Sequence, residues 1–276
     1  MDGILLVYMI CILIGMLTAF TGSLIGIGGG VILIPTLLFL HKYVDAFAWA
    51  TPQMIVGVSL MVMIFTALSS TISYLKKGRV DYKTGWLFLT GSIPGGIAGS
   101  WISKSVDVDQ FTLYFGLLMI VISLLFFLRR KGVTKPLIQG NKRRTFEIDG
   151  NTYEYSISVI PAFIISLTVG VLSGLFGIGG GAIMVPSMIL LFGYPAHIAA
   201  ATSMFMILFI STISASTHLI MGHVVWQYVL FFIPAAYIGG KIGAFVNQRL
   251  KGNTLEWVLR ILLVVIGFRL IFDGLT

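Results

Sequence analysis

Three consecutive glycines in the middle of an apolar run are hard to place in any membrane helix, and this chain carries them twice. The stretch Gly22-Ser23-Leu24-Ile25-Gly26-Ile27-Gly28-Gly29-Gly30, closed by Pro35, returns as Ser173-Gly174-Leu175-Phe176-Gly177-Ile178-Gly179-Gly180-Gly181, closed by Pro186. Each glycine costs about 1 kcal/mol in a helix interior relative to alanine. A backbone group left unsatisfied in hydrocarbon costs several kcal/mol more. Such a break survives only where protein or trapped water meets the freed groups. Helices broken at matching places in two halves predict a solute site between the halves.

The surroundings fix the solvent as lipid. Of 276 residues, 57% are hydrophobic and only 10% charged, against about a quarter charged in soluble domains. Apolar runs recur from end to end, which predicts one polytopic membrane domain. The first run, Ile4 to Phe20, lacks a basic leader and is read as a retained span. Cys11 is the single cysteine, which excludes an internal disulfide and a cysteine metal cluster and predicts a packing residue. The formal charge of +8 sits in loops beside apolar spans, a pattern of loop retention rather than nucleic-acid binding.

Span length and polar breaks place the candidate helices at Ile4 to Thr21, Val31 to Leu40, Ala46 to Leu75, Thr84 to Ile102 and Phe111 to Leu128. The second half repeats the plan at Ile157 to Phe176, Ala182 to Phe192, Ala196 to Met221, Gln227 to Gln248 and Thr254 to Phe272. The expected division is a membrane repeat over 1–128, a basic connection over 129–156 with turn chemistry at Asp149-Gly150-Asn151, and a second repeat over 157–276. The expected fold class is an all-α polytopic bundle of two repeats, each a glycine-broken or re-entrant helix followed by three long helices. Further matches support the duplication: Ala50 to Met54 with Ala200 to Met204, Gly78-Arg79-Val80 with Gly222-His223-Val224, and Ile93-Pro94 with Ile233-Pro234. Gly95, Gly99 and Ser103, and again Ala235, Gly239 and Gly243, recur at helical spacing and predict faces on which another helix packs closely.

Loop charge bears on how the halves are oriented. If each break folds its segment into a hairpin that dips in and returns, the halves are inverted. Lys76, Lys77, Arg79, Lys83, the basic residues from Arg129 to Arg144, Lys241, Arg249 and Lys251 then share the cytoplasmic face. Only Lys42, Lys104 and Arg269 lie opposite, with Arg260 inside the last span. Parallel halves mix the charges more, so inversion is the preferred expectation. Both arrangements put the connection in the cytoplasm of a multi-pass inner (plasma) membrane protein.

The N–H groups at the starts of the helices near Val31 and Ala182 point toward the breaks, with the positive end of a helix dipole behind them. An anion is the natural guest. The candidate substrate-binding backbone is therefore Gly26, Gly28, Gly29 and Gly30 with Gly177, Gly179, Gly180 and Gly181. Thr51, Gln53, Thr202 and Ser203 are the candidate hydroxyl and amide donors. Leucine at Gly29 and Gly180 is expected to abolish transport and spare the fold. A soluble nucleotide loop is discarded, because the P-loop lysine, the strand context and the downstream acid are missing. Lys241, Arg260 and Arg269 are read as structural, the last two paired with Glu256 and Asp273. His41, His197, His218 and His223 lack ligand spacing for a metal, and His218 is a candidate for coupling to protons. No span carries paired carboxylates or a Ser/His constellation, so neither a catalytic residue nor a cofactor is expected.

The twin Gly-x-Gly-Gly-Gly-x-x-x-x-Pro stretches (Gly26 to Pro35, Gly177 to Pro186), Ala200-Ala201-Thr202-Ser203, and the Pro94 and Pro234 segments resemble the TauE/SafE sulfite exporter family of membrane permeases. The likeness spans nearly the whole chain apart from the connection. It implies a carrier, usually an exporter, of sulfite, sulfoacetate or other organosulfonates. One departure stands out: Pro52-Gln53 occupies the place of Thr202-Ser203, which speaks against a symmetric site. The expected function is alternating-access export of a small sulfur anion with protons as coupling ion. An anion channel, or a permease for another carboxylate or oxyanion, is the alternative. Expected partners are the anion and membrane lipid, with no nucleic acid, and the oligomeric state stays open.

Overall fold

A computed structural model describes residues 2–105, 111, 114–118, 142–148 and 151–250, with 254, 257 and 261. The expected spans over 111–128 and 254–272 lie mostly outside these residues, as do Arg260, Arg269, Glu256 and Asp273. The elements are α1 (Asp2–Ile25), α2 (Gly30–Tyr43), α3 (Pro52–Leu75), α4 (Tyr82–Ile102), β1 (Lys142–Ile148), β2 (Asn151–Ile157), α5 (Val159–Phe176), α6 (Gly181–Leu191), α7 (Ala196–Ile220) and α8 (Trp226–Asn247). Among the described residues, α1 from Leu5, α3, α5, α7 and α8 are long and apolar enough to cross a membrane. The protein is a largely helical, multi-pass membrane fold.

Glycine sets how close the helices come. A methyl added at Gly15 would stand 2.8 Å from the Phe232 ring, and one at Gly243 2.9 Å from Ser23 Cβ. Gly239 lies against the Met16 carbonyl between them. Rising numbers on α1 therefore meet rising numbers on α8, and the two helices run side by side in the same direction. The α4–α5 pair repeats this: Gly91 meets Phe163 and Ser166, Gly95 meets Leu167 and Gly170, and Gly99 meets Val171. The small-residue faces at Gly95 and Gly99 and at Gly239 and Gly243 are thus the contact surfaces expected of them. Cys11 is fully buried.

Two opposite ends of the bundle can be followed through named contacts. At one end Gln227 Nε2 donates to Tyr8 Oη at 2.9 Å, and Trp49 stacks on Tyr228 with centroids 4.3 Å apart. At the other, Asn247 Nδ2 donates to the Leu24 carbonyl at 2.6 Å, Gln248 to Ser73 and Arg79 to Gln248, two residues from Asp81. The helices α1, α3 and α8 run from the Tyr8 end to the Asp81 end. After the first break α2 turns back, and its chain reaches Phe47 and Trp49 at the Tyr8 end.

The helices α5 and α7 run in the opposite direction to α1 and α3. The chain enters α5 near Asp81, where Tyr155 Oη donates to Asp81 Oδ2 at 2.5 Å, and α5 ends beside His218, which bonds the Gly174 carbonyl. Past the second break, α6 returns to Tyr194, whose ring lies 4.0 Å from that of Tyr155. The helix α7 starts at the Asp81 end, where Thr202 Oγ1 accepts from the Asp81 N–H at 3.1 Å. It finishes near His223, whose carbonyl abuts Gly57 in the early turns of α3.

One element departs from an all-helical reading. The end of the polar connection is an antiparallel hairpin, pairing Arg144 with Tyr155 and Ile148 with Asn151. In the sequence, the Asp149-Gly150 pair between two runs rich in β-branched and aromatic residues is a hairpin signature. Tyr155 and Ile157 are nearly fully buried, so the hairpin is docked on the bundle through the Asp81 carboxylate. Asp81 also caps α4, accepting from the Thr84 N–H at 3.2 Å.

The glycine contacts generate a direct test. Gly99→Ala would drive a methyl into the Val171 backbone, whereas nothing stands within 4 Å of one at Gly116. Gly99→Ala is expected to lower the thermal midpoint in detergent by an overpacking cost of about 1–3 kcal/mol, and Gly116→Ala, in a helical stretch, to hold it or raise it slightly.

Candidate functional site

Carbonyls left over at the ends of the broken helices organise the centre of the bundle. The last four C=O groups of a helix have no partner within it, and here they end inside the protein. In α1, Gly22 O accepts from Ile27 N at 2.8 Å and from Gly28 N at 3.1 Å. Ser23 O accepts from Tyr74 Oη at 3.0 Å, and Gly26 O from Ser203 Oγ at 2.8 Å. In α5, Ser173 O accepts from Gly177 N at 2.8 Å, Gly174 O from His218 Nε2 at 3.1 Å and Gly177 O from Ser59 Oγ at 2.9 Å.

The two serine bonds cross between the halves as a matched pair. Ser59 of the first half caps the break of the second, and Ser203 of the second caps the break of the first. Backbone contacts obey the same rule: a methyl on Gly26 would stand 2.5 Å from Ala200 Cα, and one on Gly177 3.0 Å from Val56 Cα. Next along each break, a methyl on Gly30 would stand 2.6 Å from Gly177 O, and one on Gly181 2.6 Å from Gly26 O. The starts of α2 and α6 therefore meet, each lying on the other half's break. Gly26 to Val31 and Gly177 to Ala182 are all buried.

The left-handed backbone explains why glycine is required here. Gly28 and Gly29 have φ of 89° and 94°, and Gly179 and Gly180 have 70° and 74°, a region that side chains with a Cβ avoid. Gly29 and Gly180 are the N-cap positions of α2 and α6. A methyl at Gly29 would stand 2.6 Å from the Thr18 carbonyl, and one at Gly180 2.7 Å from Val169 Cγ1. Leucine at these two positions collides with α1 and α5, so the expectation that such a double variant spares the fold is corrected. Gly28 and Gly179 face the centre instead, against Met63 Sδ and the Ile207 side chain. Met63 and Ile207 are themselves buried, halfway along α3 and α7.

The polar candidates separate. Ser203 reaches the break, but its hydroxyl proton is given to the Gly26 carbonyl. Thr202, the residue before it, accepts from the Asp81 N–H instead. Thr51 is the N-cap residue of α3 with its side chain making no capping bond, and Gln53 is half-buried in the first turn. Both stand near the Tyr8 end, with Thr51 about 18 Å along the helix from Met63 at 1.5 Å per residue. The spatial counterpart of Ser203 is Ser59, not Gln53. Counting along α3 and α7 from these serines pairs Met63 with Ile207, Tyr74 with His218 and Arg79 with His223. The sequence registration of Pro52-Gln53 with Thr202-Ser203 is replaced by this one.

His218 and His223 form a linked pair. A carbonyl only accepts, so His218 Nε2 carries the proton that goes to Gly174 O, and its Nδ1 accepts from His223 Nδ1 at 3.2 Å. His223, in the loop after α7, is pushed below the ordinary histidine range by burial and by the nearby Lys104 charge.

Removing a capping hydroxyl strands a buried carbonyl, a loss of about 1–3 kcal/mol. Ser59→Ala and Ser203→Ala are each expected to lower the thermal midpoint in detergent. The exposed Ser216→Ala, which only loses a bond to its own helix, is expected to leave it nearly unchanged.

Comparison with known proteins accords with this architecture. The family described as Sulfite exporter TauE/SafE matches residues 11–270. The probable membrane transporter protein YunE of Bacillus subtilis is 43% identical over 271 residues, covering 97% of this chain and 98% of that protein. A probable membrane transporter protein, MJ0441, of Methanocaldococcus jannaschii is 27% identical over 95% of each chain. Another from Xylella fastidiosa is 25% identical over 87% of this chain and 84% of its own. No solved structure matches the chain. With two broken helices meeting at its centre and a family match across almost its full length, the chain belongs to the TauE/SafE sulfite exporter family and is a membrane transporter.

Proposed function

We propose that the protein is a secondary carrier of a small sulfur-containing anion, sulfite or an organosulfonate such as sulfoacetate, working by alternating access. The observation that carries this reading is the meeting of the α2 and α6 starts at the centre. Each helix start presents N–H groups and the positive end of a dipole equivalent to roughly half a charge. Two such ends facing one buried point favour an anion stripped of water. The N–H groups of Gly29 and Gly30, and of Gly179, Gly180 and Gly181, supply the donors, since those of Gly28 and Gly177 already bond Gly22 O and Ser173 O. Ser59 and Ser203 hold the carbonyl ends of the breaks away from the anion. Thr51, Gln53 and Thr202 are met on the routes to the centre from the two ends.

The halves, 1–128 and 157–276, are inverted repeats in this reading, supported by the opposite directions of α1 and α5 and of α3 and α7. The Asp81 end is cytoplasmic, because Lys76, Lys77, Arg79, Lys83 and Arg249 gather there, whereas Lys42 and Lys104 belong to the Tyr8 end. The hairpin and its basic connection then lie in the cytoplasm of the plasma membrane, and export is the direction. Met63 and Ile207 fill the space between the breaks, which favours a carrier over an open channel. The histidine pair at the Tyr8 end is the place where protons couple to the cycle.

Proteoliposomes holding the purified protein are expected to exchange labelled sulfite or sulfoacetate, and movement of neither would refute the substrate class. Met63→Trp, which crowds the centre against Gly28 and Gly179 while leaving both glycine stretches unsubstituted, is expected to slow that exchange at least about tenfold, equivalent to ~1.4 kcal/mol. In a Cys11→Ala background, cysteines at Lys104 and Arg249 are expected to react with impermeant reagent from opposite sides. Labelling of both from one side would refute inversion.

A further inference from the structure

Lys241 lies inside an apolar helix and takes no part in the central site. It lines a cavity of about 520 Å³ between α3 and α8, together with Ser69, Ile72, Ser73, Lys76, Tyr237, Ile242, Phe245 and Gln248. We propose that this cavity is a binding site for an anionic phospholipid, with Lys76 and Lys241 holding the headgroup phosphate and the acyl chains lying along Ile72, Ile242 and Phe245.

Charge, walls and asymmetry carry the assignment. Among the described residues no carboxylate lines the cavity, and both lysines are exposed. The Arg249 guanidinium sits over the Phe245 ring at 4.1 Å, adding a third cation at the rim. Gln248 closes the end by donating to the Ser73 carbonyl at 3.2 Å. The walls are exposed apolar side chains on the outside of the bundle, with Ile72 and Ile242 each 39% and Phe245 51% accessible. In a membrane that surface faces acyl chains. The lysines sit where headgroups lie, Lys76 at the C-cap of α3 and Lys241 less than two turns before the end of α8. A basic pocket between membrane helices at such a depth suits a lipid phosphate.

A free transported anion fits less well. The central site is built in matched pairs, but this cavity is not. In the pairing that relates Ser59 to Ser203, Ile220 stands where Lys76 does, and in the pairing of Pro94 with Pro234, Trp101 stands where Lys241 does. The other half's equivalent positions carry no charge, so the site belongs to one leaflet rather than to the transport route.

The test is thermal unfolding of the full chain in detergent with added lipid. Phosphatidylglycerol is expected to raise the midpoint above the value in the same mole fraction of phosphatidylcholine. The double variant Lys76→Gln/Lys241→Gln is expected to lose that difference while keeping its phosphatidylcholine midpoint. Lys76→Gln alone, at an exposed helix end, is expected to lose part of it, and Lys104→Gln at the opposite end none. Inorganic phosphate and glycerol phosphate are expected not to reproduce the lysine-dependent shift, and sulfite, acting at the central site, to move wild type and double variant alike. An undiminished phosphatidylglycerol shift in the double variant, or in Lys76→Gln if the double variant does not fold, would overturn the site. So would an equal shift produced by inorganic phosphate or glycerol phosphate that is lost in the double variant.

Discussion

A helix that stops inside a bilayer must find partners for its last carbonyls, and most of the central architecture of this protein follows from that demand. Water normally meets these groups at a soluble helix end, while hydrocarbon offers nothing. The broken ends of α1 and α5 are met by a tyrosine, a histidine, an asparagine and two serines from neighbouring helices. Each donor has to be held at hydrogen-bond distance, which fixes where α3, α7 and α8 pass. Close approach then requires glycine on the facing surfaces, and the α1–α8 and α4–α5 contacts supply it. The polarity of the centre follows as well. With acceptors satisfied by serine hydroxyls, what remains directed at the midpoint is the donor end of α2 and of α6.

Much of this was legible in the residues. The doubled glycine stretch announced two breaks, since no other arrangement tolerates three glycines in an apolar run. The spacing of small residues at Gly95 and Gly99, and at Gly239 and Gly243, marked contact faces because helical periodicity survives any detail of packing. The sequence reading left out the hairpin, although the Asp149-Gly150 pair lies between runs rich in β-branched and aromatic residues. A basic loop between membrane spans reads as solvent-exposed chain, and nothing in the sequence announces that Tyr155 docks on Asp81.

The polar residues were less legible. Thr51, Gln53, Thr202 and Ser203 were chosen because they align along the chain, but alignment in sequence is not coincidence in space when loop lengths differ. Ser59 looked like one of many serines able to bond its own helix. Only the path of α5 beside α3 turns it into the partner of Ser203. Met63 and Ile207 carried no signal at all, being an ordinary methionine and isoleucine in apolar helices. Their role depends on the breaks that face them.

The exchange of serines between the breaks bears on how the chain becomes a folded unit. Neither half completes its own interrupted helix: Ser59 belongs to the break at Gly177, and Ser203 to the break at Gly26. The Gly26 carbonyl therefore gains its serine only once α7 is in place. The two halves are joined less as a pair of finished bodies than as a clasp, each closing a gap that its own residues cannot reach.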